Sequence, residues 1–370
     1  MSRTGLQLLR PEVLDFSPYS PGLGIDEIKT RYNLENVIKL ASNENPLGAS
    51  PVVREEIERY AGHAFRYPSS GNLELRQALA SMHRSVPERI ICGNGSDEII
   101  DLLIRILCVP GQNNIAAFRP CFSIYKLQSR LCGVDFRQTP LNPDFSFNFQ
   151  GLLELVDEQT RIVFVTNPDN PSGYAASWPE IENLACSLPQ SCILIIDEAY
   201  LDFAEPAQSF DSIPLALASQ NIAVMRTFSK MYALAGLRLG YAVLPDFLAD
   251  YLLRVRLPFS VNLLAEKAGL AALQDQTFRQ TTRELILSAR QEVTAGLQDL
   301  GCQVYPSQAN FLMFKPPLDP DLVFNQLLSQ GIIIRPLKSY GLAELLRVSL
   351  GTSRENQLFL EALAKILHEN

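Results

Sequence analysis

From Pro87 onward, short β-branched runs alternate with amphipathic stretches, a pattern that predicts βαβ units and a largely parallel sheet. Ile115-Ala116-Ala117-Phe118, Arg161-Ile162-Val163-Phe164-Val165, Cys192-Ile193-Leu194-Ile195-Ile196 and Ile222-Ala223-Val224-Met225 read as buried strands, each followed by polar residues or Gly/Pro punctuation. Functional groups are expected at the carboxyl ends of such strands, where an open α/β sheet leaves a crevice. Beyond Pro258 the texture changes. Helical periodicity runs from Leu263 to Leu300, then Asn310-Phe311-Leu312-Met313-Phe314, Ile332-Ile333-Ile334-Arg335 and Leu346-Arg347-Val348-Ser349 read as strands, and a helix from Glu355 closes the chain. The predicted organisation is an N-terminal arm over 1–48, Pro- and Gly-rich around Pro18 to Gly24, that also contributes to the small domain; a large α/β domain over 49–257; and a small α+β domain over 258–370. There is no internal repeat and no low-complexity tract.

Composition narrows the class. A chain of 370 residues with 47% hydrophobic content can fill two cores. A formal charge of -8 and a pI near 5.1, with no run of Lys and Arg, argue against a nucleic-acid partner. Met1 to Val13 lack an apolar segment of signal-peptide length, and no run approaches the roughly 18 apolar residues of a membrane span, so a soluble, cytoplasmic protein is expected. Seven cysteines without a close CxxC pair suit reduced structural thiols, and three histidines (His63, His83, His368) make a zinc site unexpected.

The chemistry begins at Lys230. It closes Thr227-Phe228-Ser229-Lys230, just after the apolar run Ile222 to Met225 and shortly before Ala235-Gly236-Leu237-Arg238. A lysine placed where a buried strand gives way to a small-residue turn is desolvated, which lowers its pKa from roughly 10 and supplies the neutral amine that carbonyl condensation requires. The bland alternative is a solvated lysine at a strand end. Gly93-Asn94-Gly95-Ser96-Asp97-Glu98 follows the apolar pair Ile90-Ile91 and precedes a helical run, so N–H groups at a helix start can hold a phosphate. As a dinucleotide fingerprint this string fails, because Glu98 replaces the third glycine of GxGxxG.

Asp197 ends the apolar run Ile193 to Ile196, and a carboxylate there needs a cation or several donors. A protonated pyridine nitrogen would serve: at about 4 Å and an effective dielectric near 20 the pair is worth roughly 4 kcal/mol, enough to hold about three pKa units. A capping aspartate at a strand-to-helix turn is the alternative; a Walker B role lacks its GxxxxGK[ST] partner. In Asn167-Pro168-Asp169-Asn170-Pro171-Ser172-Gly173, two X-Pro steps fix a turned backbone that can aim Asn170 inward.

These four segments, in this order, resemble the fold-type I pyridoxal-phosphate aminotransferases over nearly the whole chain. The resemblance implies that Lys230 joins the cofactor aldehyde, Asp197 pairs with the pyridine nitrogen, and Asn170 and Tyr200 hydrogen-bond the ring hydroxyl. It places the cofactor phosphate against Gly95, Ser96, Thr227, Ser229 and Arg238, counts Asp97 in the cofactor-binding set, and puts Phe122 on the ring face. Related enzymes often carry Tyr at that place, so any role for a hydroxyl is absent. Leu40-Ala41-Ser42-Asn43-Glu44-Asn45-Pro46-Leu47-Gly48, Ser17-Pro18-Tyr19, Arg66-Tyr67-Pro68, Arg335-Pro336-Leu337 and Leu346-Arg347-Val348-Ser349-Leu350-Gly351-Thr352 are similar to the histidinol-phosphate aminotransferase branch.

By that similarity the substrates are histidinol phosphate and the glutamate/2-oxoglutarate pair, bound by Tyr19, Asn43, Arg335 and Arg347, since guanidinium forks suit phosphate and carboxylate alike. Tyr67 is expected to reach the cofactor of a neighbouring subunit, which makes a homodimer part of the expectation. An aromatic-amino-acid aminotransferase is the nearest rival, with threonine-phosphate decarboxylase more distant. A pyridoxal-phosphate-sensing regulator would need an added helix-turn-helix domain for which the sequence leaves no room, and a nicotinamide dehydrogenase would leave Lys230 unexplained.

Overall fold

The protein is described by a computed structural model over residues 8–14, 16 and 23–369. Its principal sheet has seven strands: β1 (Ile90–Asn94), β2 (Asn114–Arg119), β3 (Asp135–Pro140), β4 (Thr160–Thr166), β5 (Ile193–Asp197), β6 (Ile222–Thr227) and β7 (Leu239–Val243). They lie in the order β1-β7-β6-β5-β4-β2-β3. β2 to β6 are mutually parallel, and β7 pairs antiparallel with both β6 and β1. This is the α/β class that the alternating pattern predicts.

The continuous apolar runs follow from burial of both sheet faces. Val163, Val165, Leu194, Ile196 and Val224 join a core with Ile181 and Leu184 of the helix Trp178–Ser187. Their sequence neighbours Ile162, Phe164, Ile193, Ile195 and Met225 face the opposite core, with Ile99 and Leu103 of the helix Gly95–Leu107 and Leu248 and Leu252 of the helix Asp246–Val255. The period of two thus divides one strand between two interiors, and no position is left for a polar face.

The smaller sheet is antiparallel, with β8 (Gln303–Val304), β9 (Phe311–Lys315), β10 (Arg335–Pro336) and β11 (Leu346–Ser349) in the order β10-β11-β9-β8. Here the structure departs from the sequence reading. The expected strand Ile332 to Arg335 is divided: Ile332–Ile333 pairs in parallel with Ile38–Lys39, whereas Arg335 turns to oppose Arg347. The helical stretch Leu263 to Leu300 is two helices, Leu263–Gln274 and Gln276–Asp299, separated where the Asp275 side chain accepts from the Phe278 N–H and starts the second. From Ile25 the N-terminal segment packs on residues of the C-terminal part, where Ile28 is buried with Ala41, Leu328 and Ile333. No helix among the described residues is long and apolar enough to cross a membrane.

One close approach positions the site. Gly240 of β7 lies opposite both Thr227 and Gly93, and a Cβ there would sit 2.4 Å from the Ser96 nitrogen and 2.8 Å from the Gly95 carbonyl carbon. Only a glycine lets the helix Gly95–Leu107 start against the sheet. Gly240→Ala is expected to lower the stability measured by urea denaturation by about 1–3 kcal/mol, the usual range for overpacking, and to weaken anion binding at that helix start.

Candidate active site

A cavity of about 270 Å³ opens at the carboxyl ends of β4, β5 and β6, with Thr166, Asp197, Thr227 and Lys230 in its walls. Lys230 follows β6 through Ser229, and its Nζ donates to the Ser42 carbonyl at 3.1 Å and lies 5.7 Å from the Tyr200 ring centroid. Burial, reinforced by the positive charge of Arg347, lowers its pKa to about 8. Asp197, last residue of β5, accepts from the Tyr125 hydroxyl at 2.8 Å and from the Ala199 N–H at 3.2 Å. Burial nevertheless pushes its carboxyl up to about 6, because these two neutral donors only partly offset the loss of water. No ion pair joins the two groups.

At one end of the cavity, Ser96 in the first helical turn meets Thr227, Ser229 and Arg238. The Arg238 backbone is left-handed (φ 55°), its carbonyl accepts from the Gly95 N–H at 2.9 Å, and its guanidinium pairs with Asp97 at 3.1 Å. A Cβ on Gly95 would lie 2.5 Å from Arg238 Nη2, so glycine lets that arginine lie over the helix start. Free N–H groups, three hydroxyls and a guanidinium together form an anion cradle. Glu98 instead turns back to accept from the Asn94 N–H at 2.6 Å, placing a carboxylate in the glycine turn.

At the other end, the Tyr200 hydroxyl accepts from Asn43 Nδ2 at 3.1 Å and Asn170 Nδ2 at 3.3 Å, which leaves its own proton to donate. Arg347 is 5% exposed; it donates to Asn170 Oδ1 and, at 2.9 Å, to the Ala41 carbonyl, while its Nε has no partner among the described residues. Ser349 holds Asn43 Oδ1 at 3.0 Å. Phe122 forms one wall.

The cavity therefore brings together Ser96, Asp97, Phe122, Asn170, Asp197, Tyr200, Thr227, Ser229, Lys230 and Arg238, with Gly95, Asn43 and Arg347 immediately behind. Arg335 faces a neighbouring, larger cavity instead. Tyr67 is 82% exposed and stacks on Phe259, away from the cavity of its own chain. Tyr19 lies outside the described residues. The sequence reading assigned nothing to Tyr125, Thr166 or Ser42. Tyr125 falls three residues after Phe122 on one helix, the only local hint that it shares the site.

Residues 35–363 match the family model for aminotransferase class I and II. The chain belongs to this family. It is 57% identical over 359 residues to the histidinol-phosphate aminotransferase of Nitratidesulfovibrio vulgaris, covering 97% of this chain and 96% of that one. It is 52% identical over 363 residues to the enzyme of that name from Oleidesulfovibrio alaskensis, covering 97% and 95%. Among solved structures, the histidinol-phosphate aminotransferase of Sinorhizobium meliloti in complex with pyridoxal-5'-phosphate superposes with a TM-score of 0.88 at 26% identity, with 98% of each chain covered. The donor set of this aminotransferase fits that cofactor: an amine for the aldehyde, a carboxylate lacking a cation for the ring nitrogen, and an anion cradle for the phosphate.

The Asp197 carboxyl has a folded value near 6, above its ordinary 3.8, so its contribution to stability is present below about pH 4 and lost as pH rises through 6. At neutral pH the ionised group therefore costs the cofactor-free fold on the order of 3 kcal/mol. Asp197→Asn should stabilise the cofactor-free protein at pH 7 by an amount of that order and by much less at pH 4, read from urea midpoints at the two pH values, while transamination is lost.

Proposed function

We propose that the chain is a histidinol-phosphate aminotransferase of histidine biosynthesis. It transfers an amino group reversibly between L-histidinol phosphate and 2-oxoglutarate, giving imidazole-acetol phosphate and L-glutamate. The observation that carries the chemistry is the enclosure of the Lys230 amine, with a pKa near 8, in one cavity with the unpaired Asp197 carboxylate. The substrate choice rests on the relative that is 57% identical over nearly the whole length.

Bound pyridoxal phosphate supplies the aldehyde that takes the amino group and the ring that accepts electrons from the substrate carbon. Lys230 is the amine that would hold the aldehyde and, when its nitrogen is free, would take a proton at the substrate carbon and give it back as general acid. A pKa near 8 suits this, because an amine so placed both gives and takes a proton near neutrality. Asp197 would keep the ring nitrogen protonated, and Tyr125 fixes the carboxylate's direction. Tyr200 and Asn170 would hold the ring hydroxyl, Phe122 would pack on the ring, and Gly95, Ser96, Thr227, Ser229 and Arg238 would hold the phosphate, with Asp97 orienting Arg238.

Arg347, with Arg335, Asn43 and Tyr19, binds the anionic end of either substrate. One site then accepts both phosphate ester and carboxylate, since Arg347 keeps an unpartnered Nε beside Asn170. The enzyme works as a cytoplasmic homodimer in which Tyr67 reaches the cofactor phosphate of a second copy; its exposed ring, stacked on the exposed Phe259, supports a partner on that surface. Domain limits at 48 and 257 are supported by sheet membership, with β1 to β7 on one side and β8 to β11 on the other.

Purified protein should be yellow, and Lys230→Ala should lose that absorbance and all turnover. With 2-oxoglutarate as acceptor, histidinol phosphate should be turned over with a far higher kcat/KM than phenylalanine; a large preference for phenylalanine would overturn the substrate assignment. Arg347→Ala should lower kcat/KM about 100-fold in both half-reactions, the loss of roughly 3 kcal/mol of charge-assisted hydrogen bonding. Arg238→Ala should chiefly weaken cofactor retention, measured by dialysis; the reverse pattern would exchange the two roles.

A further inference from the structure

Beside the inner cavity lies a second one, of about 520 Å³, whose chemistry differs. The helix Ser123–Leu131 turns Ser123, Lys126, Leu127 and Arg130 toward it, at the spacing of one helical face. Arg119, at the end of β2, and Arg335, at the start of β10, complete the lining cations, and no Asp or Glu among the described residues takes part. Arg130 lies 5.2 Å from the Phe16 ring centroid, which also borders the space. Arg119, Lys126 and Arg335 have no carboxylate partner among the described residues. Asp169, the acid whose charge reaches Cys121 in the wall, is buried and accepts from Ser172 Oγ at 2.6 Å. Arg119, Lys126 and Arg335, around one volume, make it a positive chamber.

The two cavities adjoin on both sides. Cys121 borders the outer one and its neighbour Phe122 the inner one. Across the cleft, Arg335 of the outer cavity stands opposite Arg347, which binds Asn170 of the inner one. A substrate whose amine reaches Lys230 therefore has its other end at or near the cationic chamber.

We propose that Arg119 and Lys126, together with Arg335, form an anion-capturing vestibule that receives the phosphate ester of the incoming substrate before its amine enters the inner cavity. The proposal rests on the substrate reading above and assigns capture of the dianion to residues that bind neither cofactor nor reacting atoms. A cleft lined by one sign of charge raises association rates by factors of about 10 to 1,000, and salt removes the gain.

The test is the double variant Arg119→Gln/Lys126→Gln of the cofactor-loaded enzyme, compared with the parent at increasing NaCl. At low ionic strength kcat/KM for histidinol phosphate should fall about tenfold with kcat changed less than about twofold, and the difference should close as salt rises. Lys126→Arg alone should retain parental behaviour. A double variant with the parent's kcat/KM and salt dependence would overturn the vestibule. Should the parent itself not turn over histidinol phosphate, the substrate reading fails, and inorganic phosphate then tests the vestibule as a competitor of glutamate. An inhibition constant about tenfold weaker in the double variant sustains the proposal, and an unchanged one refutes it.

Discussion

An amine and a carboxylate are buried in one small cavity without an ion-pair partner for either, and the rest of the site is arranged around that constraint. Burial drives both toward their neutral forms, Lys230 down to about 8 and Asp197 up to about 6. Such an arrangement is costly in a protein that holds nothing there. It would become favourable with a bound group that offers an aldehyde to the amine and a basic nitrogen to the acid. The neighbours hold this geometry without relieving it: Tyr125 and Ala199 give Asp197 two neutral hydrogen bonds, and Ser42 gives Lys230 a carbonyl.

The short segment from Ala41 to Asn45 explains how two sheets make one site. The Ala41 carbonyl accepts from Arg347, that of Ser42 from Lys230, and Asn43 joins Tyr200 to Ser349. Asn45 then donates to the Met231 carbonyl at 2.9 Å, and Asn310 donates to that of Asn43 at 3.1 Å. Four of these five residues are thus fastened to loops of the large sheet, to the small sheet, or to both. Arg347 and Lys230 are thereby held to neighbouring backbone carbonyls of one segment, at 2.9 Å and 3.1 Å.

Much of this was legible in the sequence because the chemistry sits at strand ends. β2, β4, β5 and β6 are announced by apolar runs, and a polar residue ending such a run stands out, as Asp197 does. Lys230, three residues beyond the end of β6, is marked in the same way. β3 was not legible: its sequence Asp135 to Pro140 is an edge strand with mainly half-exposed residues and no apolar run. β7 was hidden by the turn residues before it. Tyr125 offered only its spacing from Phe122, since its bond to Asp197 joins residues 72 apart. The division of Ile332 to Arg335 between two sheets is a tertiary decision that periodicity does not encode.

The most direct measurement of the central claim is chemical. Reduction of the cofactor-loaded enzyme with borohydride converts a carbon–nitrogen double bond between cofactor and lysine into a stable secondary amine, which proteolysis and mass spectrometry then locate. The account predicts a pyridoxyl group on Lys230 alone. A label on any other lysine, or none on an active enzyme, would contradict it.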